Sequence, residues 1–196
     1  MASIRSLKSN VSREEALRHF SPGGISGAWH NATAGPLRAV ADFYIPFQIF
    51  RVEISNAGRR QEEILGIDAV SGTLDPYRFE HLPETGETIF LETRNCLLPL
   101  LDAERARELA ITKVQRVLFT TGFFRMRNLA ITVHPVPGEI YVPYWVGFRG
   151  QDGNARFSVL DAVRRQSEGS RVRRLLHDWL TSAVPAANPT VLPLNS

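Results

Sequence analysis

The side chains able to do chemistry are few and scattered. The histidines are His19, His30, His81, His134 and His177. No two share the short helical spacing of a zinc site, and Cys96 is the single cysteine, so no thiolate pair exists to complete one. These spacings predict structural or surface histidines. Among the carboxylates, Glu62 and Glu63 border a predicted hairpin, while Glu80, Glu84 and Glu87 share a loop with His81. Convergence of Glu80 and His81 on Asp68 would make an acid–base pair, but the spacing alone gives no warrant for it. Cys96 lies beside Leu97 and Leu98 with no base nearby to activate it, and reads as a small buried residue. The run Ser21-Pro22-Gly23-Gly24-Ile25-Ser26-Gly27 has glycines but neither a lysine nor a preceding strand, so it reads as a loop and not a phosphate cradle. The sequence therefore predicts no catalytic residue, no metal and no cofactor.

Charge offers a binding alternative. Arg164, Arg165, Arg171, Arg173 and Arg174 form the densest basic cluster. They read first as the solvated face of the last helix, completed by Asp178, and second as a patch for nucleic acid or an acidic partner. The net charge is +3, but Lys8 and Lys113 are the only lysines among 23 basic residues. That arginine bias is a property of the whole composition and weakens the case for nucleic acid. No stretch approaches the roughly 18 apolar residues of a membrane helix. Residues 1–8 lack the apolar core of a secretory signal, and a lone cysteine suits a reducing compartment, so a cytoplasmic location is expected.

The elements that must position these groups read as α+β. Ser12-Arg13-Glu14-Glu15 fits a capping box opening a short helix, stopped by Pro22-Gly23-Gly24. Residues 37–54 read as a long strand interrupted at Pro46, which cannot donate to a ladder and suggests an edge or a bulge. Asn56-Ala57-Gly58 turns the chain into a returning strand over 63–70, and 88–94 is a further short strand. Asp102 caps a helix over 103–119. Strands follow at 129–134, 139–149 and 155–163, with turns at Pro137-Gly138 and Asp152-Gly153. A last helix runs over 170–182, with Val172, Leu175, Leu176, Trp179 and Leu180 on one apolar face. The proline-bearing residues 185–196 read as a mobile end.

Two blocks recur in order. Phe43-Tyr44-Ile45-Pro46-Phe47 is echoed by Ile140-Tyr141-Val142-Pro143-Tyr144, and Ile67-Asp68-Ala69-Val70 by Leu160-Asp161-Ala162-Val163. Each pair follows a capped helix, so the unit is a helix plus an antiparallel hairpin, written twice. One such unit is too small to bury its own sheet face, which is a reason to double it. The expected fold is two helix-plus-hairpin repeats forming an antiparallel sheet packed by helices. The first repeat spans residues 1–98, the second with the C-terminal helix spans 99–184, and 185–196 form the tail. The two aspartates are expected to bond turn amides.

The order helix, antiparallel strands, then Ile67-Asp68-Ala69-Val70-Ser71-Gly72-Thr73-Leu74 resembles a PepSY-type module. The second copy carries Arg164-Arg165 where that family's turn has a small residue and glycine. The resemblance implies a non-catalytic binding or regulatory role and assigns no functional residue. The functional expectation is therefore recognition of a peptide or partner protein. Tyr44, Phe47, Tyr141, Tyr144, Trp145 and Trp179 are the candidate contact residues, and strand edges near Pro46 and Pro143 the means. A fully exposed Trp179 would mark its face as a dimer or partner site. The alternatives are a hydrolase or isomerase whose groups meet only in the fold, and a nucleic-acid accessory protein using the arginine cluster.

Overall fold

The apolar run that begins at Leu37 is extended from end to end. The computed structural model describes residues 1–24, 35–56, 58–122, 129–150, 156–181 and 192–193. Strand β2 spans Leu37–Asn56 and buries most of its length without the alternation of a half-exposed strand, as a strand covered on both faces must. It sits between β3 (Arg59–Asp68) and β6 (Ala130–Arg149). The expected interruption and edge at Pro46 are therefore corrected: β2 is interior and unbroken. Pro46 donates nothing, but its carbonyl accepts the Ala69 amide at 2.8 Å. Pro143 in β6 does the same for Ala162 at 3.1 Å.

The turn expected at Pro137-Gly138 is also corrected, because β6 is one strand through both residues. Gly138 takes a φ of +85° inside it. A residue without a Cβ enters that region freely, so the chain absorbs the irregularity without reversing. The turn expected at Asp152-Gly153 lies outside the described residues.

The strands hydrogen-bond in the order β4-β3-β2-β6-β1-β5, with β1 at Ala2–Leu7, β4 at Tyr77–Phe79 and β5 at Thr88–Thr93. β7 (Arg156–Asp161) pairs with β6, β8 (Gln166–Ser167) with β7, and β9 (Leu192–Pro193) with β2. The hairpin partners are antiparallel, and a parallel bridge joins Tyr44 to Cys96. With helices α1 (Arg13–Phe20), α2 (Ala103–Gly122) and α3 (Ser170–Thr181), the fold is α+β with a mixed sheet. No helix among the described residues is long and apolar enough to cross a membrane.

The compact units do not follow the division expected at residue 98. One consists of residues 1–44, 89–97 and 142–196, the other of 45–88 and 98–141. Each therefore draws on both halves of the chain. In the first unit, the Ser12–Glu15 capping box starts α1 as its sequence predicts. Ala16 and Phe20 then pack with Val11, Val40, Leu160 and Ala162. The Trp145 indole donates to the Val11 carbonyl at 2.9 Å. In the second unit, Asp102 caps α2 through the Arg105 amide at 2.7 Å. Ala106, Ala110 and Val114 of α2 bury against Phe50, Val52, Ile54, Leu65, Ile67 and Val133. Small residues on α2 let it approach the large side chains of the β2–β3 hairpin closely.

Candidate functional site

The aromatic residues marked by the sequence are mostly interior. Tyr44, Phe47, Tyr141 and Tyr144 are buried, and Trp145 and Trp179 are half-buried. Phe47 stacks at a tilt on Tyr77, with ring centroids 5.5 Å apart. Trp179 meets Phe43 edge-on at 4.9 Å, an arrangement that contributes about 0.5–1.5 kcal/mol beyond its buried area. The condition set for a dimer face, a fully exposed Trp179, is not met. Tyr44 donates to the Asp42 carboxylate at 3.0 Å, and Asn95 donates to the other oxygen of Asp42 at 3.4 Å. Burial and then the Asp42 charge hold the Tyr44 phenol above its ordinary range.

Both aspartates of the recurring blocks are buried in turns. Asp68 lies opposite Phe47 in the β2–β3 ladder, and Asp161 lies opposite Tyr144 in the β6–β7 ladder. Asp68 Oδ1 accepts the Ser71 amide at 2.7 Å, the Ser71 hydroxyl at 3.1 Å and the Gly72 amide at 2.9 Å, while Oδ2 accepts the Leu74 amide at 2.9 Å. Asp161 Oδ1 accepts the Val163 and Arg164 amides, each at 2.8 Å. The aspartate carbonyls accept from the residues four further on, Gly72 at 3.2 Å and Arg165 at 2.9 Å. Those two residues share the left-handed backbone region, at φ +67° and +59°.

Asp68 is thus engaged within its own turn and does not form an acid–base pair with His81. The His81 Nε2 lies 3.0 Å from Glu87 at the surface. The first effect on the Glu87 carboxyl is the Glu84 backbone amide, which holds it below its usual range. His134 comes within 3.9 Å of Glu53, both side chains being more than half exposed. Glu53 and Glu62 line a surface groove of about 530 Å³ with Arg60, Gln61 and Thr132. Water screens such a site, so it lacks the desolvation that tunes an acid–base pair. Between α2 and the β3–β4 strands lies a cleft of about 50 Å³ lined by Val114, Val117, Leu118, Ile54 and Leu65. That is far below the 300 Å³ or more of a small-molecule pocket. Among the described residues no group of histidine, cysteine or carboxylate side chains is placed to hold a metal. Cys96 is buried, which pushes its thiol up and away from the reactive thiolate.

What the surface offers instead, among the described residues, is a strand at the end of the sheet order and a basic face. β5 ends the hydrogen-bonded strand order beside β1. Its side chains include Phe90 at 77% exposure and Ile89 at 39%. The sequence reading found this strand but not its position at an edge. The available signal was its composition, because Thr-Ile-Phe-Leu-Glu-Thr has neither the lysine nor the proline that usually guards an edge. Pro46 and Pro143, where edges were expected, lie in interior ladders. The basic residues Arg164, Arg165, Arg171, Arg173 and Arg174 are all exposed. Arg165 approaches Glu15 at 3.7 Å and donates to the Asn10 carbonyl. Compared with family models, curated proteins and solved structures, the chain matches none significantly.

Proposed function

We propose that the protein is a non-catalytic binding module that recognises a partner protein by accepting an extended segment against β5. The observation that carries this reading is the terminal position of β5 together with its exposed Phe90 and Ile89. An open edge offers unpaired backbone groups for a partner strand, and exposed side chains on it supply specificity. Introducing a photo-crosslinking residue at Glu92, which is exposed on the same strand, tests this in the native cell. Adducts of discrete mass are expected, and Phe90→Lys should abolish them by guarding the edge. Adducts that persist in Phe90→Lys, or none at all, would overturn the reading.

On the same reading the chain is a tandem of two helix-plus-hairpin repeats of PepSY type, with their helices exchanged. Support comes from the matched Asp68 and Asp161 turns, the ladder partners Phe47 and Tyr144, and the carbonyl bonds of Pro46 and Pro143. The exchange is supported by where each helix packs. α1 precedes β2 in the chain but packs with Leu160 and Ala162 of the second block as well as with Val40 of β2, and α2 precedes β6 but packs with Phe50, Val52, Leu65 and Ile67 of the first hairpin as well as with Val133 of β6. The segments leading into the helices follow suit. The Asn10 amide bonds the Ala162 carbonyl at 2.8 Å, and the Leu100 amide bonds the Ala69 carbonyl at 2.7 Å.

A further inference from the structure

We propose that β5 docks against β5 of a second copy of this chain, joining two sheets edge to edge as an antiparallel, two-fold pair. The proposal rests on the preceding reading of β5 as a docking strand and names the segment that docks. Among the described residues β1 is the one strand paired with β5, which leaves its other side for a partner. Thr88-Ile89-Phe90-Leu91-Glu92-Thr93 holds a single charge, no proline and no glycine. That is the composition of a segment that pairs readily with its own kind. Strands at the end of a sheet usually carry a lysine, a proline or an inward charge that forbids such pairing. β5 has no lysine and no proline, and its one charge, Glu92, is exposed.

Symmetry fixes what can face what in such a pair. A two-fold axis perpendicular to the sheet reverses the strand but keeps its faces, so the axis must pass through a residue. Centred on Phe90, it sets Phe90 against Phe90 of the second copy on one face. On the other face it sets Ile89 against Leu91 of the second copy, twice. Thr88 then meets Glu92 of the second copy, and no two like charges are opposed. Centring on Ile89 or Leu91 instead would set Phe90 against Thr88 or Glu92. Phe90 is 77% exposed and Ile89 39%. Neighbours along a strand point to opposite faces, so both faces hold apolar surface that the pairing removes from water. Cross-strand pairs of aromatic and β-branched residues stabilise a sheet in this way. A foreign segment would have to supply the matching pattern, whereas a second copy already carries it.

The test uses the purified full chain. Sedimentation equilibrium should show monomer and dimer in exchange, since one short strand pair is smaller than a standard stable interface. Phe90→Lys sets two lysines against each other across the axis and should weaken dimerisation by about a hundredfold or more. Phe119→Lys makes the same change at an exposed position on α2 and should weaken it by less than about twofold. The near-UV circular dichroism of both variants should match the parent. Disulfide trapping reads the register. Phe90→Cys should give a linked dimer on mild oxidation, whereas Glu92→Cys, set about 13 Å along the strand from its own copy, should not. The parent, whose Cys96 is buried, gives the background. A monomer at every concentration, equal weakening by the two lysine variants, or equal trapping at the two cysteine positions would overturn the proposal. The edge reading fails separately, through the cross-linking at Glu92. Cellular adducts lost in Phe90→Lys, but not of the mass of two chains and formed by a chain that is monomeric when pure, would leave that reading standing and overturn this proposal alone.

Discussion

The turn at Asp68 and the turn at Asp161 have the same backbone plan and opposite surroundings. Both aspartates cap turn amides, and both turns place the residue four positions on in the left-handed region. In the first turn that residue is Gly72, and a Cβ added there would lie 2.3 Å from Leu109 Cδ1 of α2. In the second it is Arg165, exposed and reaching Glu15 and Asn10. The hydrogen-bond pattern dictates the backbone conformation, and the cover above the turn dictates the side chain. A turn beneath a helix demands glycine twice over, while an open turn tolerates an arginine for the cost of the strained φ alone.

The most severe way to break this comparison is to separate the proposed repeats. Residues 1–98 and 99–196 expressed apart each lack part of both compact units. Neither should show a cooperative thermal transition alone, and mixing them should restore one. A half that melts cooperatively by itself would refute the helix exchange. Next in size is Asp68→Ala, which leaves the buried amides of Gly72 and Leu74 without their acceptor. It should cost about 3 kcal/mol or more in urea unfolding.

Gly72→Ala and Arg165→Gly sharpen the contrast directly. The first combines left-handed strain with overlap on Leu109 and should cost about 2–4 kcal/mol. The second relieves strain while losing a surface pair, and should change stability by less than about 1 kcal/mol. Equal effects would mean that the helix above the first turn is irrelevant. The smallest expected effect concerns the start of α1. Ser12→Ala should cost about 1 kcal/mol. The Ser12 backbone amide holds the Glu15 carboxyl below its ordinary value. A depressed carboxyl contributes stability that is present above its unfolded-state value and lost as pH falls through the folded one. Glu15→Gln should therefore converge with the parent in acid, as followed by helix circular dichroism, while the loss in Ser12→Ala, which removes the hydroxyl that accepts the Glu15 amide, should persist there.

The sequence revealed elements whose signals are local. The Ser12–Glu15 box, the Asp102 cap and the 3.6-residue periodicity of α2 and α3 each lie within one turn or face. The aspartates' turn role was legible for the same reason. Pro46 misled, because a missing N–H rules out a donor but not an interior position when the carbonyl is used. Pro137-Gly138 misled because a positive φ in a strand and one in a turn look alike in sequence. The short β1, β4 and β8 went unrecognised, since such strands are defined by their partners. The arginines were visible as a cluster, but the pairing of Arg165 with Glu15 depends on a fold that brings residues 150 positions apart together. Tyr44, Phe47, Tyr141 and Tyr144 looked like contacts only because burial on both faces of an interior strand cannot be told from exposure by residue type.

The discontinuous make-up of the two units also bears on synthesis. Val40 packs with Leu160 and Ala162, so it waits for about 120 further residues, roughly 6–24 s at ordinary rates of elongation. Phe50 finds its β3 partner, Leu65, almost at once. The unit containing α2 has all its residues by position 141, while the other needs those beyond 142. The unit containing α2 is thus the first that can fold on the ribosome, and the start of β2 stays uncovered until residues 160–162 have been made.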